Sequence, residues 1–380
     1  MKPNVDGNLD GVAIPDVATA SDLASSSGWW RVLQKVVVFL PAMFLFILAI
    51  QLMKAGASAI GPTIEGQFPF ANGVSTLGTG WLGAYFVLSG SPVAATTISL
   101  FGAGALTKLQ TLTMLSGSRL GASFIVLLTG ILFTVRAKGK RKQESIGMGI
   151  QALTMTALVY LPGMALAYLM LRGGLMDGVQ WHASTELEAV LARIWGPFVD
   201  FAKDHLPGGL LFLAGLGTIL LSFKLLDRVL PQIDGERAEY QHHWIKKRWV
   251  MFGLGCLVAT LTLSVSVALT VLVPLAFKGY LKRDEALPYI MGANITTLAD
   301  TLVVAMLQRT PVAAQIVLAE AIGVAVISVL VLAFAYRPVS GGVMRLQDWL
   351  LTENKRLAGF VGVIFLVPIS LLLTGLFFRA

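Results

Sequence analysis

Residues 74–106, VSTLGTGWLGAYFVLSGSPVAATTISLFGAGAL, form one apolar stretch broken at its centre by Ser89-Gly90-Ser91-Pro92. A helix needs about 20 consecutive apolar residues to cross the hydrocarbon of a bilayer. The stretch is too long for one crossing, and each half is too short for its own. It reads as a helix–break–helix hairpin that enters and leaves on one side. Irregular backbone at that depth is tolerated only where protein or a water-filled site satisfies it. Residues 249–281, WVMFGLGCLVATLTLSVSVALTVLVPLAFKGYL, repeat the layout at equal length, with the break at Ser264-Val265-Ser266.

Working outward from the hairpins, segments of crossing length lie near 33–53, 110–135, 147–171, 208–227, 287–307, 312–335 and 357–377. Basic residues set the orientation, because Lys and Arg collect in cytoplasmic loops. With the N-terminus inside, Arg136, Lys138, Lys140, Arg141 and Lys142 fall in the cytoplasm, as do Arg228, Arg237, Lys246, Lys247 and Arg248. Arg337, Arg345, Lys355 and Arg356 follow them. The acidic stretch 172–207, with Asp177, Glu186, Glu188, Asp200 and Asp204, falls outside. Counting either hairpin as a full crossing would spoil this agreement. The C-terminus is then external.

Composition agrees. The chain of 380 residues is 56% hydrophobic and only 13% charged, with mean hydropathy +0.75; soluble domains carry about a quarter charged residues. The net charge of +8 belongs to the loop bias rather than to nucleic-acid binding. Cys256 is the single cysteine, which excludes an intramolecular disulfide and any multi-cysteine metal site. Residues 1–30, with four Asp and runs of Ala and Ser, lack the basic and apolar regions of a signal peptide. They read as a flexible cytosolic tail, with Trp29 and Trp30 as an interfacial anchor.

A gap-free shift of the chain that places Leu88 on Leu263 relates the hairpins. The same shift aligns Ser89 with Ser264, Ser91 with Ser266 and Leu100 with Leu275. It also aligns Gly104 with Gly279, Leu106 with Leu281, Leu112 with Leu287 and Gly117 with Gly292. Three crossings separate the two starts, and an odd number inverts one copy relative to the other. The fold expected is therefore an all-α polytopic membrane protein of two inverted repeats, with the broken hairpin tips meeting near the midplane. The parts are a tail 1–30, a first repeat 31–172 with hairpin 74–106, and an external linker 173–207. A second repeat 208–336 with hairpin 249–281 follows, then a cytosolic connection and last transmembrane helix within 337–380.

Chemistry is expected at the breaks. Ser89, Ser91, Ser264 and Ser266 sit there, with Thr96, Thr97 and Thr270 one or two turns on. Hydroxyls and freed carbonyls suit Na⁺, and freed N–H groups at half-helix N-termini suit an anion. The alternative is that each hydroxyl bonds back to its own helix. After each hairpin comes a polar segment, Ser116-Gly117-Ser118-Arg119 in the first repeat and Gly292-Ala293-Asn294-Ile295-Thr296-Thr297 in the second. Arg119 and Asp300 are ionisable groups within crossings, and Glu320 and Gln51 are weaker candidates of the same kind; such groups are costly to bury and mark function. For Arg119 two roles stand open: an anion ligand, or a structural partner of a carboxylate. There is no Walker A loop, and His242 and His243 beside Trp244 suit an interface segment rather than a metal site. Transport without an ATP site runs on an ion gradient, and no nucleophile–base pair points to an enzyme.

These residues resemble the type II sodium/phosphate cotransporter family, whose repeat pairs a re-entrant QSSS-type hairpin with a GANIGTT-like segment. GANITT at 292–297, MLQRTPVAAQIVLAEA at 306–321 and FLFILAIQLMKAGASAIGP at 44–62 carry the likeness over most of residues 38–336. The chain departs from the pattern at Leu88 and Leu263, where the family has glutamine, and at Arg119, which stands at the asparagine position of the first GANIGTT-like copy. The resemblance implies a symporter in a bacterial inner membrane that couples Na⁺ to phosphate or a similar small oxyanion. Ser89, Ser91, Ser264, Ser266, Asn294 and Arg119 would bind substrate, and Thr96, Thr97, Thr270, Thr296 and Thr297 sodium. The partners implied are a small anionic solute, sodium and the lipid bilayer, with no nucleic acid and a homodimer as the assembly to test. The rival readings are another solute on the same fold and a non-transporting membrane sensor or assembly subunit.

Overall fold

A computed structural model describes residues 20–65, 67–135, 140–229, 247–262, 265–277, 281, 283–308 and 311–378. The tail 1–19, most of the basic loop 228–248 (including His242 and His243) and the residues Arg136, Lys138, Leu263 and Ser264 lie outside the described residues. So do the side chains of Trp29 and Trp30.

The described chain is almost wholly helical, with no strand among the described residues. Seven of its helical stretches are long and apolar enough to cross a membrane: Val36–Ile64, Lys108–Leu132, Glu144–Arg172, Gly208–Leu226, Arg283–Met306, Pro311–Thr352 and Asn354–Phe377. They correspond one for one with the seven segments expected from hydropathy, and the protein is a multi-pass membrane protein. In chain order α1 is Ala20–Ile64, α2 Gly73–Val87, α3 Gly90–Gly102, α4 Lys108–Ala122, α5 Phe124–Val135 and α6 Lys140–Arg172. Then come α7 Thr185–His205, α8 Gly208–Val229, α9 Arg248–Thr262, α10 Val265–Thr270 and α11 Leu272–Phe277. The last are α12 Arg283–Thr296, α13 Leu298–Met306, α14 Pro311–Leu330, α15 Tyr336–Thr352 and α16 Asn354–Phe377. A π-helical stretch, Val331–Ala335, joins α14 to α15 without a turn.

Two helices lie where the sequence reading placed only connections. α7 occupies the expected external linker. Its apolar residues are spaced on one side instead of forming a run, so a search for continuous apolar spans passes over it. Leu191 and Val199 are buried, and the Trp195 ring N–H donates to the Phe44 carbonyl at 3.0 Å while the two rings stack at 5.3 Å. α15 occupies the expected cytosolic connection and buries Val343, Gln347 and Leu350.

Local chemistry sets the helix ends around the first break. Asn72 caps α2, its Oδ1 accepting from the amides of Val74 and Ser75 at 2.9 and 2.8 Å. Thr107 and Gln110 cap α4 reciprocally, a capping box that satisfies two of the orphan donors of the first turn. α2 ends at Leu88, whose φ of 56° is left-handed. That conformation stops a helix but is unusual for a residue with a branched side chain.

Helix bounds recur under the shift that places Leu88 on Leu263. α2 spans 73–87 and α9 spans 248–262, while α3 spans 90–102 and α10 with α11 spans 265–277. α4 starts at Lys108 and α12 at Arg283. The helix crossings recur too. A methyl on Gly80 would overlap the Met114 carbonyl, and one on Gly117 the Leu77 carbonyl; under the same shift, Gly255 meets the Tyr289 carbonyl and Gly292 that of Phe252. Both crossings, α2 on α4 and α9 on α12, thus bring backbones into contact through paired glycines, as small residues permit in membranes. Between the halves the packing is reciprocal: α3 lies on α13, and α10 and α11 lie on α5. α1 packs on α8 and α6 on α14. The largest core cluster draws on both halves, with Leu120, Met155 and Tyr160 against Leu272, Leu287 and Met291.

Candidate functional site

The first break is an extended step between two helices. Leu88 turns left-handed, Ser89 is extended at φ −156° and ψ 140°, and α3 starts at Gly90. Ser89 makes no side-chain cap bond, and Ser91 in the first turn of α3 is buried. A Cβ on Gly90 would stand 2.8 Å from the Ser118 carbonyl oxygen and 3.0 Å from the Ala122 Cβ. The break therefore rests on α4 at the level of Arg119, and only a glycine lets it approach so closely.

From α4, Arg119 reaches across to the second half. Its Nη2 donates to Asp300 Oδ1 on α13 at 3.2 Å and to the Thr301 hydroxyl, with both charged side chains almost wholly buried. A guanidinium chelates an oxyanion through its Nε/Nη2 or Nη1/Nη2 edge. Both edges include Nη2, which Asp300 and Thr301 occupy here. Nε and Nη1 have no partner, and neither does Asp300 Oδ2. One turn before Arg119, the Ser116 hydroxyl donates to Glu320 Oε1 of α14 at 2.6 Å, and Glu320 Oε2 is left without a partner. Arg119, Asp300 and Glu320 are the only charged side chains buried among the described residues.

A second network surrounds Asn294 on α12. Its Nδ2 donates to the Thr156 hydroxyl at 3.0 Å, and its carbonyl accepts from the Tyr160 hydroxyl at 2.7 Å and from the Thr297 hydroxyl at 3.2 Å. Thr156 and Tyr160 were not singled out from the sequence. Their signal was available, because polar side chains four residues apart lie on one face of the helix carrying them. Tyr160 also feels the charges of Arg119, Glu320 and Asp300, so the two networks are neighbours.

The remaining candidates are placed as follows. Thr96 and Thr97 donate back to the carbonyls of Pro92 and Val93, at 2.9 and 2.8 Å. Thr296 donates to the Cys256 carbonyl at 3.0 Å. Each of these hydroxyls has its proton engaged in a backbone bond and keeps its lone pairs. Thr270 ends α10 and is half-buried. The backbone of Ser266 belongs to α10, but its side chain, like all of Ser264, lies outside the described residues. The structure thus brings the first break, Arg119, Asp300 and Glu320 to one level of the molecule, with the Asn294 network beside them.

No curated protein and no solved structure gives a significant match to the chain. A family model described as Na+/Pi-cotransporter matches residues 218–376, from within α8 to α16, a stretch containing Asn294, Asp300 and Glu320. Over that stretch, with seven helices of crossing length in the whole, the chain is similar to the Na+/Pi-cotransporter family.

Proposed function

We propose that the protein is a sodium-coupled symporter of phosphate or a similar small oxyanion, working in a bacterial inner membrane. The observation that carries this reading is a polar and charged cluster at the junction of the two halves of a chain whose residues 218–376 match this transporter family. In the proposal the halves are inverted repeats, and α2–α3 and α9–α11 are re-entrant hairpins whose breaks meet at mid-membrane. The recurrence of helix bounds under one gap-free shift supports that arrangement, as does the reciprocal packing of α3 on α13 and of α10 and α11 on α5. Two such halves rocking against each other give alternating access to one central site.

In this reading the oxyanion meets the start of α3, whose first-turn amides and positive dipole end favour an anion. Ser89 and Ser91 supply hydroxyls there, with Ser264, Ser266 and Asn294 from the other half. Arg119 contributes charge at that level, already anchored by Asp300. Thr96, Thr97, Thr270, Thr296 and Thr297 offer oxygen ligands to sodium; for Thr96, Thr97, Thr296 and Thr297 the proton is committed to a backbone carbonyl and the lone pairs face outward from that bond. The test is counterflow in proteoliposomes loaded with phosphate, sulfate or a small organic anion, with and without Na⁺. Phosphate exchange that requires Na⁺ is the expected result, and exchange indifferent to Na⁺ would overturn the coupling.

A second reading keeps the fold and changes the solute. It is favoured by Leu88, which holds the left-handed position of the first break with an apolar side chain where a polar contact to substrate would be expected. In the same experiment, organic-anion exchange without phosphate exchange would establish it.

A further inference from the structure

We infer that Glu320 is the seat of a bound monovalent cation, Na⁺ or H⁺, separate from the threonine hydroxyls named above. Buried charged side chains among the described residues are one base, Arg119, and two acids, Asp300 and Glu320. Arg119 and Asp300 are bonded to each other at 3.2 Å and cancel. Glu320 remains, fully buried at 0% exposure, as one uncompensated negative charge. An isolated carboxylate in such a place is strongly disfavoured, so it binds a cation or takes up a proton.

The hydrogen bonding leaves an oxygen of Glu320 free for that cation. Ser116 satisfies Oε1 from α4, while Oε2 has no partner. Asp300 Oδ2, on the neighbouring helix α13, is likewise unpartnered and buried. These are hard oxygen donors of the kind that alkali cations take. The titratable groups that act on Glu320 are Arg119 from α4 and Tyr160 from α6, and Asp300 stands on α13, which packs on α14. α3 brings none, and α12 carries Arg283, Asp284, Glu285 and Tyr289 only in its first two turns. No second base is at hand among the described residues to neutralise Glu320.

Cation occupancy at Glu320 would also set the charge felt by anything bound beside Arg119. With the cation present the cluster is neutral, and with it absent the cluster is negative and repels an oxyanion. Cation and oxyanion therefore favour each other at this point, which is the sign that symport requires. This meaning rests on the coupled-transport reading. The test measures cation binding without transport, so that the two can fail separately.

The test is thermal melting of the purified protein in detergent, titrated with NaCl against choline chloride at constant ionic strength, at pH 6 and pH 8. Wild type is compared with Glu320→Gln, which keeps the shape and removes the charge, and with Ser116→Ala, which removes the bond to Oε1. If the occupant is Na⁺, wild type melts higher as NaCl rises at pH 8, and Glu320→Gln raises the half-saturating Na⁺ at least tenfold. If it is H⁺, wild type is indifferent to Na⁺ but melts higher at pH 6 than at pH 8, and Glu320→Gln loses that difference. Ser116→Ala removes a donor that stabilises the bare carboxylate, so it should shift the midpoint of whichever response appears towards tighter cation binding; an unshifted midpoint counts against the inference even should Glu320→Gln fold poorly. A Glu320→Gln protein with wild-type responses to both, or a wild type that responds to neither, would overturn the inference.

Discussion

Arg119 and Asp300 are 181 residues apart in the chain and 3.2 Å apart in the fold, a buried ion pair between α4 of the first half and α13 of the second. Removing one member of such a pair leaves the other charge buried and alone, which typically costs about 3–5 kcal/mol. Arg119→Ala and Asp300→Ala should each lower the melting temperature of the substrate-free protein strongly. The double replacement by apolar residues of similar volume should recover most of the loss. Single variants that melt like wild type would show that the pair contributes nothing to the resting fold.

Arg119→Lys tests the geometry of the same pair. Arg119 Nη2 serves both Asp300 and Thr301 through one planar group, and an ammonium on a flexible stem does not reproduce that arrangement. The lysine variant should melt between wild type and Arg119→Ala, and phosphate should stabilise it less than it stabilises wild type. Full rescue by lysine would reduce the role of Arg119 to a point charge.

At the first break, Leu88 holds a φ of 56° that costs a leucine roughly 1–2 kcal/mol relative to the right-handed helix. Leu88→Gly removes that cost, offset in part by the greater freedom of glycine in the unfolded chain. Its melting temperature should equal or exceed wild type, whereas Leu88→Ala should not gain. A marked fall for Leu88→Gly would mean that the leucine side chain, not the turn, stabilises the break.

Gly90 tests the seat of the break on α4. A methyl there meets the Ser118 carbonyl at 2.8 Å, and overpacking of this kind typically costs about 1–3 kcal/mol. Gly90→Ala should abolish uptake at temperatures where the protein is still folded, because the break is pushed off the level of Arg119. Normal uptake by Gly90→Ala would remove the break from the site.

The serines at the break give a milder stability effect and a larger functional one. Ser89 makes no cap bond, and a lost hydroxyl hydrogen bond costs about 1 kcal/mol. Replacing Ser89 and Ser91 together with Ala should leave the melting curve nearly unchanged and eliminate Na⁺-dependent phosphate uptake. If uptake persists at the wild-type rate, these hydroxyls only pack.

The seven crossings and the break at Ser89-Gly90-Ser91-Pro92 were legible from residue order. Whether a segment can cross a bilayer depends on its length and polarity, which are properties of a continuous stretch, and the structure returns the same seven. The same logic explains what hydropathy missed. α7 and α15 hide their apolar residues on one face, so no continuous run announces them. Asn294 was named from the sequence, but its partners Thr156 and Tyr160 lie far upstream on α6.

Which charge meets which was not readable at all. Arg119, Asp300 and Glu320 could be picked out one by one because an ionisable residue within an apolar span is rare and costly. From residue order alone Arg119 could as well have faced an anion, Asp300 or Glu320. The packing of α4 and of α13 on α14 decides it: Arg119 takes Asp300, and Ser116, one turn earlier, takes Glu320 across 204 residues of chain. Hydrophobicity is local and can be summed along a sequence. Charge compensation depends on distances through space, and only the folded molecule brings those three side chains together and leaves one negative charge over.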